Sequence, residues 1–314
     1  MTVGESTPAL ALGGGGILGE AWMNAVLAGL EQHGGIDARA ARAFIGTSAG
    51  SIVAAALAAG IAPADRLERT AGASPMPPAG ESEPAAAWSL GRAAGIAAEL
   101  GSAAAAPLAA FALGSGAPAG AAVRRLLLRQ VPEGRRSLAQ LDRAVRRSGA
   151  RWDGRLRVAA VELESGRRVC FGAPGAPSVE VATAVCASCA IPGVFEPVRA
   201  AGRTYVDGGA WSPTNMDALD VGRGESVLCL NPTGSLRSSA RGIAGAIGSF
   251  SRARAASEAL ALRHRGVHVE IVNPDARAAA AMGLNLMDSG PREAVIEAGL
   301  AQGRTLARAS AAAA

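Results

Sequence analysis

Hydrophobic positions along the chain fall into short apolar runs and longer stretches of helical spacing, punctuated by glycine. Thr7 to Leu12 is a compact apolar run, broken by Gly13 to Gly16. From Glu20 to Gln32 the apolar residues Trp22, Val26, Leu27 and Leu30 recur at the three-to-four spacing of a helix, which the Gly34-Gly35 pair ends. Ala43-Phe44-Ile45 then leads into Gly46-Thr47-Ser48-Ala49-Gly50, and Ile52 to Ala59 continues as an apolar helix closed by Gly60. Strand, glycine turn and helix, twice over, is the repeat of a parallel α/β sheet.

Beyond Pro63 the periodicity weakens as far as Gly120, with a loop at Ser74-Pro75-Met76-Pro77-Pro78. Helices are predicted over Ala121 to Val131 and Leu138 to Ser148, then strands over Leu156 to Leu163 and Arg168 to Phe171, joined by a hairpin turn at Ser165-Gly166. Val179 to Ala187 reads as helical. Tyr205-Val206 runs into Asp207-Gly208-Gly209, Val227 to Leu230 and Val267 to Val272 read as strands, and Gly283 to Arg308 closes the chain as an amphipathic helix. The expectation is one three-layer α/β/α domain over residues 1–314 with a mainly parallel central sheet, residues 63–150 forming an Ala/Gly/Pro-rich cap or insertion.

Composition narrows this picture. A chain of 314 residues with 49% hydrophobic and 18% charged content excludes disorder, collagen and a disulfide miniprotein. With 41 Gly and few aromatics the average side chain is small, so helices should pack closely. The uncharged run from Leu100 to Val123 contains Pro107, Pro118 and four Gly, and its apolar content is mostly Ala, so a transmembrane helix is rejected. Met1 to Pro8 lacks the positive charge of a secretory leader, and the four cysteines read as free thiols, so a cytoplasmic location is expected. Cys186-x-x-Cys189 has no second pair or neighbouring His and reads as two buried small hydrophobes rather than a zinc site.

All 31 basic residues are Arg, and residues 124 to 157 hold 11 of them against Glu133, Asp142 and Asp153, a local net charge of +8. Solvated helix faces explain such a run, and so does a face that approaches anionic lipid head groups. Nucleic acid is not expected, since no aromatic interleaves until Trp152 and no binding motif is present.

The chemistry concentrates at three glycine-rich points. Gly46-x-Ser48-x-Gly50 between an apolar strand and a helix has the context of a nucleophile elbow, in which a strained serine presents its hydroxyl at a helix N-terminus. Gly14-Gly15-Gly16-x-x-Gly19 also matches a dinucleotide fingerprint, but Asp37, the acidic residue at the required spacing, follows a Gly-Gly turn rather than a strand. Exposed glycine N–H groups at a helix start can equally hold an oxyanion. For a base, Asp207 sits at a strand end with unhindered backbone around it. His264 or His268 would complete a Ser-Asp-His order, although one lies at an Arg-rich helix end and the other within an alternating strand.

In order and separation, Gly14-Gly15-Gly16-x-x-Gly19, Gly46-x-Ser48-x-Gly50 and Asp207-Gly208-Gly209 resemble the patatin-like phospholipases. Ala187-Ser188-Cys189-Ala190-Ile191-Pro192-Gly193-Val194-Phe195-Glu196-Pro197 and Val161-Glu162-Leu163 with Gly166 resemble two further segments of that family. The resemblance covers about residues 8 to 60 and 155 to 232. It implies a Ser48-Asp207 dyad without histidine, an oxyanion hole from Gly14, Gly15 and Gly16, motif glycines Gly19, Gly46, Gly50, Gly208 and Gly209, lipid or lysophospholipid ester substrates, and no metal or organic cofactor. The family usually has Arg or Lys inside the glycine motif, where this chain has Leu18. A triad hydrolase using His264 or His268, and a catalytically silent lipid-binding protein, are the alternatives.

Overall fold

The computed structural model describes residues 7–69, 118–236 and 243–313. The loop expected at residues 74–78, most of the apolar run 100–123 and the centre of the 63–150 cap lie outside the described residues. In chain order the elements are β1 (Ala9–Leu12), α1 (Gly16–Gly34), β2 (Phe44–Thr47), α2 (Ala49–Ala58), α3 (Pro63–Arg69), α4 (Pro118–Gln130), α5 (Ala139–Ser148), β3 (Leu156–Glu162), β4 (Arg168–Phe171), α6 (Val181–Cys189), β5 (Val198–Ala200), β6 (Arg203–Asp207), β7 (Ser226–Leu230), α7 (Ile243–His264), β8 (His268–Val272), α8 (Ala276–Met282) and α9 (Arg292–Ala313).

The strands form one sheet whose hydrogen-bonded pairs link in the sequence β5-β6-β3-β2-β1-β7-β8, with β4 also paired to β3. From β3 to β8 all pairings are parallel, and β4, β5 and β6 run antiparallel to their neighbours. Period-two alternation sorts the side chains of the parallel strands into two cores. Leu10, Leu12, Phe44, Leu228 and Leu230 face the layer of α1, α2, α6 and α9. Ala9, Ala11, Ile45, Val227 and Cys229 face α7, which contributes Ala255, Ala259 and Leu262 from one stripe. The mainly parallel α/β/α arrangement expected from the sequence is thus present.

One detail of the sheet positions the site. Strand β3 pairs with β2 through Leu156 to Ala159 and with β6 through Ala160 to Glu162, while β4 pairs with Val158 to Val161. Two edges serve three partners, so β2 and β6 lie end to end along the same edge of β3. Thr47, the last residue of β2, is opposite Ala159, and Asp207, the last residue of β6, is opposite Ala160. The C-terminal ends of the two strands therefore meet head to head.

Two helix boundaries differ from the sequence reading. Helix α1 starts at Gly16, four residues before the apolar spacing becomes visible, because Ile17, Leu18 and Gly19 are already buried in the core. The closing helix starts at Arg292 rather than Gly283: residues 283–290 form turns, and Pro291 stands just before the first helical residue, where its missing N–H costs nothing.

Small residues let α1 and α9 approach closely. A side chain on Gly29 would press on the Leu300 carbonyl, and one on Gly303 would run into the backbone of Val26, Gly29 and Leu30. Across this crossing the Trp22 indole N–H donates to Gln302 at 2.9 Å. Gly303→Ala is expected to force the helices apart and to cost about 1–3 kcal/mol, the usual range for overpacking, read as a lower urea midpoint at unchanged slope; a variant as stable as the parent would show that the crossing has slack.

Candidate active site

Ser48 is the hinge between β2 and α2, with φ 49° and ψ −122°, a left-handed backbone that an L-residue adopts only under constraint. The flanking glycines are required by close approach. A Cβ on Gly46 would overlap the backbone of Ser51, and one on Gly50 would overlap the Leu12 carbonyl. Ser48 is 5% exposed. Its N–H donates to Ser188 Oγ at 2.8 Å, and its carbonyl accepts from the Ser51 N–H and hydroxyl at 2.8 and 2.7 Å.

Asp207 ends β6 and is 3% exposed. Its N–H donates to the Ala190 carbonyl at 2.9 Å, and its Oδ1 accepts from the Gly209 N–H at 2.6 Å. Gly208 passes directly over the Ala159 carbonyl, leaving no space for a Cβ. Burial pushes the Asp207 carboxyl up to about 6, against the opposing effect of hydrogen bonds from the Ser48 hydroxyl and the Gly209 N–H. The head-to-head ends of β2 and β6 thus bring Ser48 beside Asp207.

The glycine run lies beside them: a Cβ built on Gly14 would sit 3.5 Å from that of Ser48. Gly13 and Gly14 spend their N–H groups on the Leu230 and Pro213 carbonyls, both at 2.9 Å. Among the described residues no protein acceptor takes the N–H of Gly15 or Gly16, which open α1 toward the site. Gly19 is closed in by Pro232. Leu18 is fully buried, and its N–H donates to the Leu286 carbonyl at 3.0 Å.

The other sequence candidates fall elsewhere. His268 is opposite Ser226 at the start of β8, four residues below the Leu230–Val272 level that faces the site, so it is about 13 Å down the strands and about 14 Å across three strand spacings from Ser48. His264 precedes it at the end of α7, and both are exposed. The triad alternative loses its geometry. A surface groove of about 490 Å³ lined by Ser226, Arg263 and His268 lies at that same far end and touches neither Ser48 nor Asp207. Asp37 caps a single helical turn and pairs with Arg39 at 2.8 Å, an exposed local role. Cys186 and Cys189 are buried thiols on α6, and no group of metal-ligating residues occurs among the described residues.

Sequence reasoning overlooked four supporting residues. Ser188 holds the Ser48 backbone. Asn215, fully buried and left-handed at φ 49°, donates from Nδ2 to Thr47 Oγ1 at 3.0 Å and to the Ser212 carbonyl at 2.6 Å, tying the end of β2 to the loop after Asp207. Glu258 of α7 accepts from the Thr214 hydroxyl at 2.6 Å and the Met216 N–H at 3.0 Å, and burial raises its carboxyl above the usual range. Arg124 of α4, also buried, donates to the Ala210 and Gly166 carbonyls at 2.9 Å and stacks on Trp211 at 4.3 Å, and burial lowers its guanidinium to about 10. The family-like segment around Ser188 was a signal; a lone Asn, Glu or Arg in a polar stretch gives none.

Against known families, the patatin-like phospholipase family matches residues 10–220, about two thirds of the chain, including Ser48, Asp207 and the glycine run. The chain belongs to the patatin-like phospholipase family. As a member it is a lipid acyl hydrolase. No curated protein sequence matches it. Among solved structures, VipD from Legionella pneumophila is 14% identical at a TM-score of 0.46, covering 97% of this chain and 67% of that one. The type III effector protein ExoU is 14% identical at 0.42, covering 97% and 53%. This patatin-like chain spans about two thirds of VipD and about half of ExoU.

Because the folded carboxyl of Asp207 titrates above its unfolded value of 3.8, the folded state binds the proton more tightly, and stability falls as pH rises from about 4 to about 6. Each pH unit corresponds to about 1.4 kcal/mol, so the ionised state costs on the order of 3 kcal/mol. Asp207→Asn should be more stable than the parent by about that amount at pH 8 and should lose the advantage by pH 4, in urea titrations at both values. Equal stability difference at the two pH values would show that Asp207 is not perturbed in the fold.

Proposed function

We propose that the protein is a serine acyl-ester hydrolase acting on lipid or lysophospholipid esters through a Ser48-Asp207 dyad, within a single domain in which residues 63–150 form an insertion. The observation that carries this reading is the meeting of the β2 and β6 ends, which sets the strained Ser48 beside the buried Asp207, with both histidines of the C-terminal half at the far end of the sheet. Asp207 takes the hydroxyl proton as Ser48 Oγ attacks the ester carbonyl, and the Gly15 and Gly16 N–H groups, beside Gly14, receive the charge that develops on the carbonyl oxygen. As the tetrahedral intermediate collapses, the proton passes from Asp207 to the departing alkoxide. Water then gives its proton to Asp207 and attacks the acyl-enzyme, and return of that proton to Ser48 Oγ releases the fatty acid. None of these steps needs a metal or an organic cofactor.

A carboxylate at its ordinary pKa is a poor base near neutral pH. Burial corrects this by raising Asp207 to about 6. Hydrolysis therefore requires pH above about 6, and the rate should rise with pH through that value.

The Arg-rich segment supports contact with anionic membrane in a narrower form than its charge suggests. Arg124 is buried, Arg155 donates to the Arg39 and Ala41 carbonyls, and Arg157 pairs with Asp220 at 3.0 Å, so these serve the fold. On α4, by contrast, Val123 and Leu126 are 45% and 60% exposed, with Arg125 and Arg129 exposed beside them. That face combines apolar anchors with cations and matches an anionic bilayer. Its opposite side packs Leu128 on Val206 and Ala210, next to Asp207, which would place the site close to the lipid surface. Among the described residues no helix is long and apolar enough to cross a membrane.

Ser48→Ala and Asp207→Ala should each abolish hydrolysis of a medium-chain ester with an unchanged circular dichroism spectrum, and a fluorophosphonate should label Ser48 in the parent only. His264→Ala with His268→Ala should keep parental turnover; a folded but inactive double variant would restore the triad reading. Lipid binding without labelling of Ser48 would favour a silent lipid-binding protein. In vesicle co-sedimentation, binding should rise with phosphatidylglycerol content, weaken with salt and be lost in Leu126→Glu/Arg129→Glu. Binding indifferent to lipid charge and to this substitution would remove α4 as the contact.

A further inference from the structure

We infer that Ser188 is a positioning residue for the nucleophile, and that the last turn of α6 sets the separation of Ser48 from Asp207. This rests on the dyad reading above. Ser188 is fully buried, and a helical serine with no other task bonds back to its own helix four residues earlier. Ser188 does not. Its hydroxyl donates to the Ala159 carbonyl of β3 at 2.6 Å and accepts the Ser48 N–H at 2.8 Å. The first bond fixes the hydroxyl hydrogen, which turns the oxygen lone pairs toward Ser48.

The Ser48 N–H needs this partner. At φ 49° it has left the β2 ladder and stands before the first residue of α2, so neither element supplies an acceptor. Two residues beyond Ser188, the Ala190 carbonyl accepts the Asp207 N–H at 2.9 Å. Within that turn Ala190 and Ile191 donate back to Ala187 and Cys189 at 3.3 and 2.9 Å, which makes it a tight, self-bonded unit. The main-chain nitrogens of both dyad members are thus held by one turn of helix, and Ala159, which anchors that turn, lies opposite Thr47 and beside the partner of Asp207. Displacing the nucleophile by an ångström would change its distance from the carboxylate, and misplacements of that size cost on the order of 10²-fold in rate.

The test compares Ser188→Ala, Ser188→Thr and Ser188→Cys with the parent by kcat and KM on a p-nitrophenyl medium-chain ester and by the rate of fluorophosphonate labelling at Ser48. Ser188→Ala should lower kcat and labelling about 10²-fold at unchanged KM. Thr keeps the hydroxyl and should recover most of the loss; Cys keeps the size but is a weak acceptor and should not. A serine that only fills space predicts the reverse order, with Cys near parental and Thr impaired, and that order would overturn the inference. If Ser188→Ala does not fold, the order of Thr and Cys decides alone. A parent that is unlabelled at Ser48, or active as Asp207→Ala, would instead remove the dyad itself, whereas a labelled, Asp207-dependent parent with the reversed order would remove only the role of Ser188.

Discussion

Everything at this site depends on one edge of one strand. Because β3 gives the first half of an edge to β2 and the second half to β6, two strands that run in opposite directions end at adjacent residues, Ala159 and Ala160. Nothing about Ser48 or Asp207 individually brings them together. A parallel sheet alone would place the ends of β2 and its neighbours side by side at 4.7–4.9 Å intervals, all facing the same way. The antiparallel β6 turns one strand end to face another, so Asp207 lies just beyond the end of β2 that leads into Ser48. The antiparallel strands of this mainly parallel fold are thus what places Asp207 beside Ser48.

That meeting is crowded, and the crowding explains which residues surround it. Gly46, Gly50 and Gly208 stand where neighbouring backbone leaves no room for a Cβ. Ser48 and Asn215 both hold left-handed backbone without being glycine, each at a cost on the order of 1–3 kcal/mol. The offset comes from bonds that reach across the fold: Ser188 to Ser48 over 140 residues of sequence, and Asn215 to Thr47 over 168. Removing either partner would leave a buried polar group unpaired at roughly 1–3 kcal/mol, so strain and support are parts of one arrangement.

This division also explains what the sequence made legible. The strand-turn-helix units, the Gly46-x-Ser48-x-Gly50 turn and the Asp207-Gly208-Gly209 corner are local patterns, written in adjacent residues, and they could be read directly. Helix α7 was missed as a core element because its buried stripe, Ala255, Ala259 and Leu262, gives little contrast in a chain rich in alanine throughout. Asn215 and Glu258 were missed as site residues because their partners are distant in sequence and a lone Asn or Glu gives no local pattern, whereas Ser188 lies in a segment that did carry a signal. The histidines, chosen by residue type and chain order, fell at the wrong end of the sheet, since order along the chain says nothing about which end of a strand a residue occupies.

The electrostatics of the site follow from an omission. Asp207 feels burial, one hydroxyl and one backbone N–H, and no cation is among the causes of its shift. Leu18 stands where the family usually has a basic residue, and it is packed into the core under Leu286. A cation there would favour the ionised carboxylate and weaken it as a base, while adding attraction for a developing oxyanion. With Leu18, the opposite balance holds: burial raises the Asp207 carboxyl with no cation to oppose it, and the Gly15 and Gly16 N–H groups that open α1 are neutral. In the proposed dyad the Ser48 hydroxyl works without histidine, against a carboxyl whose raised pKa comes from desolvation.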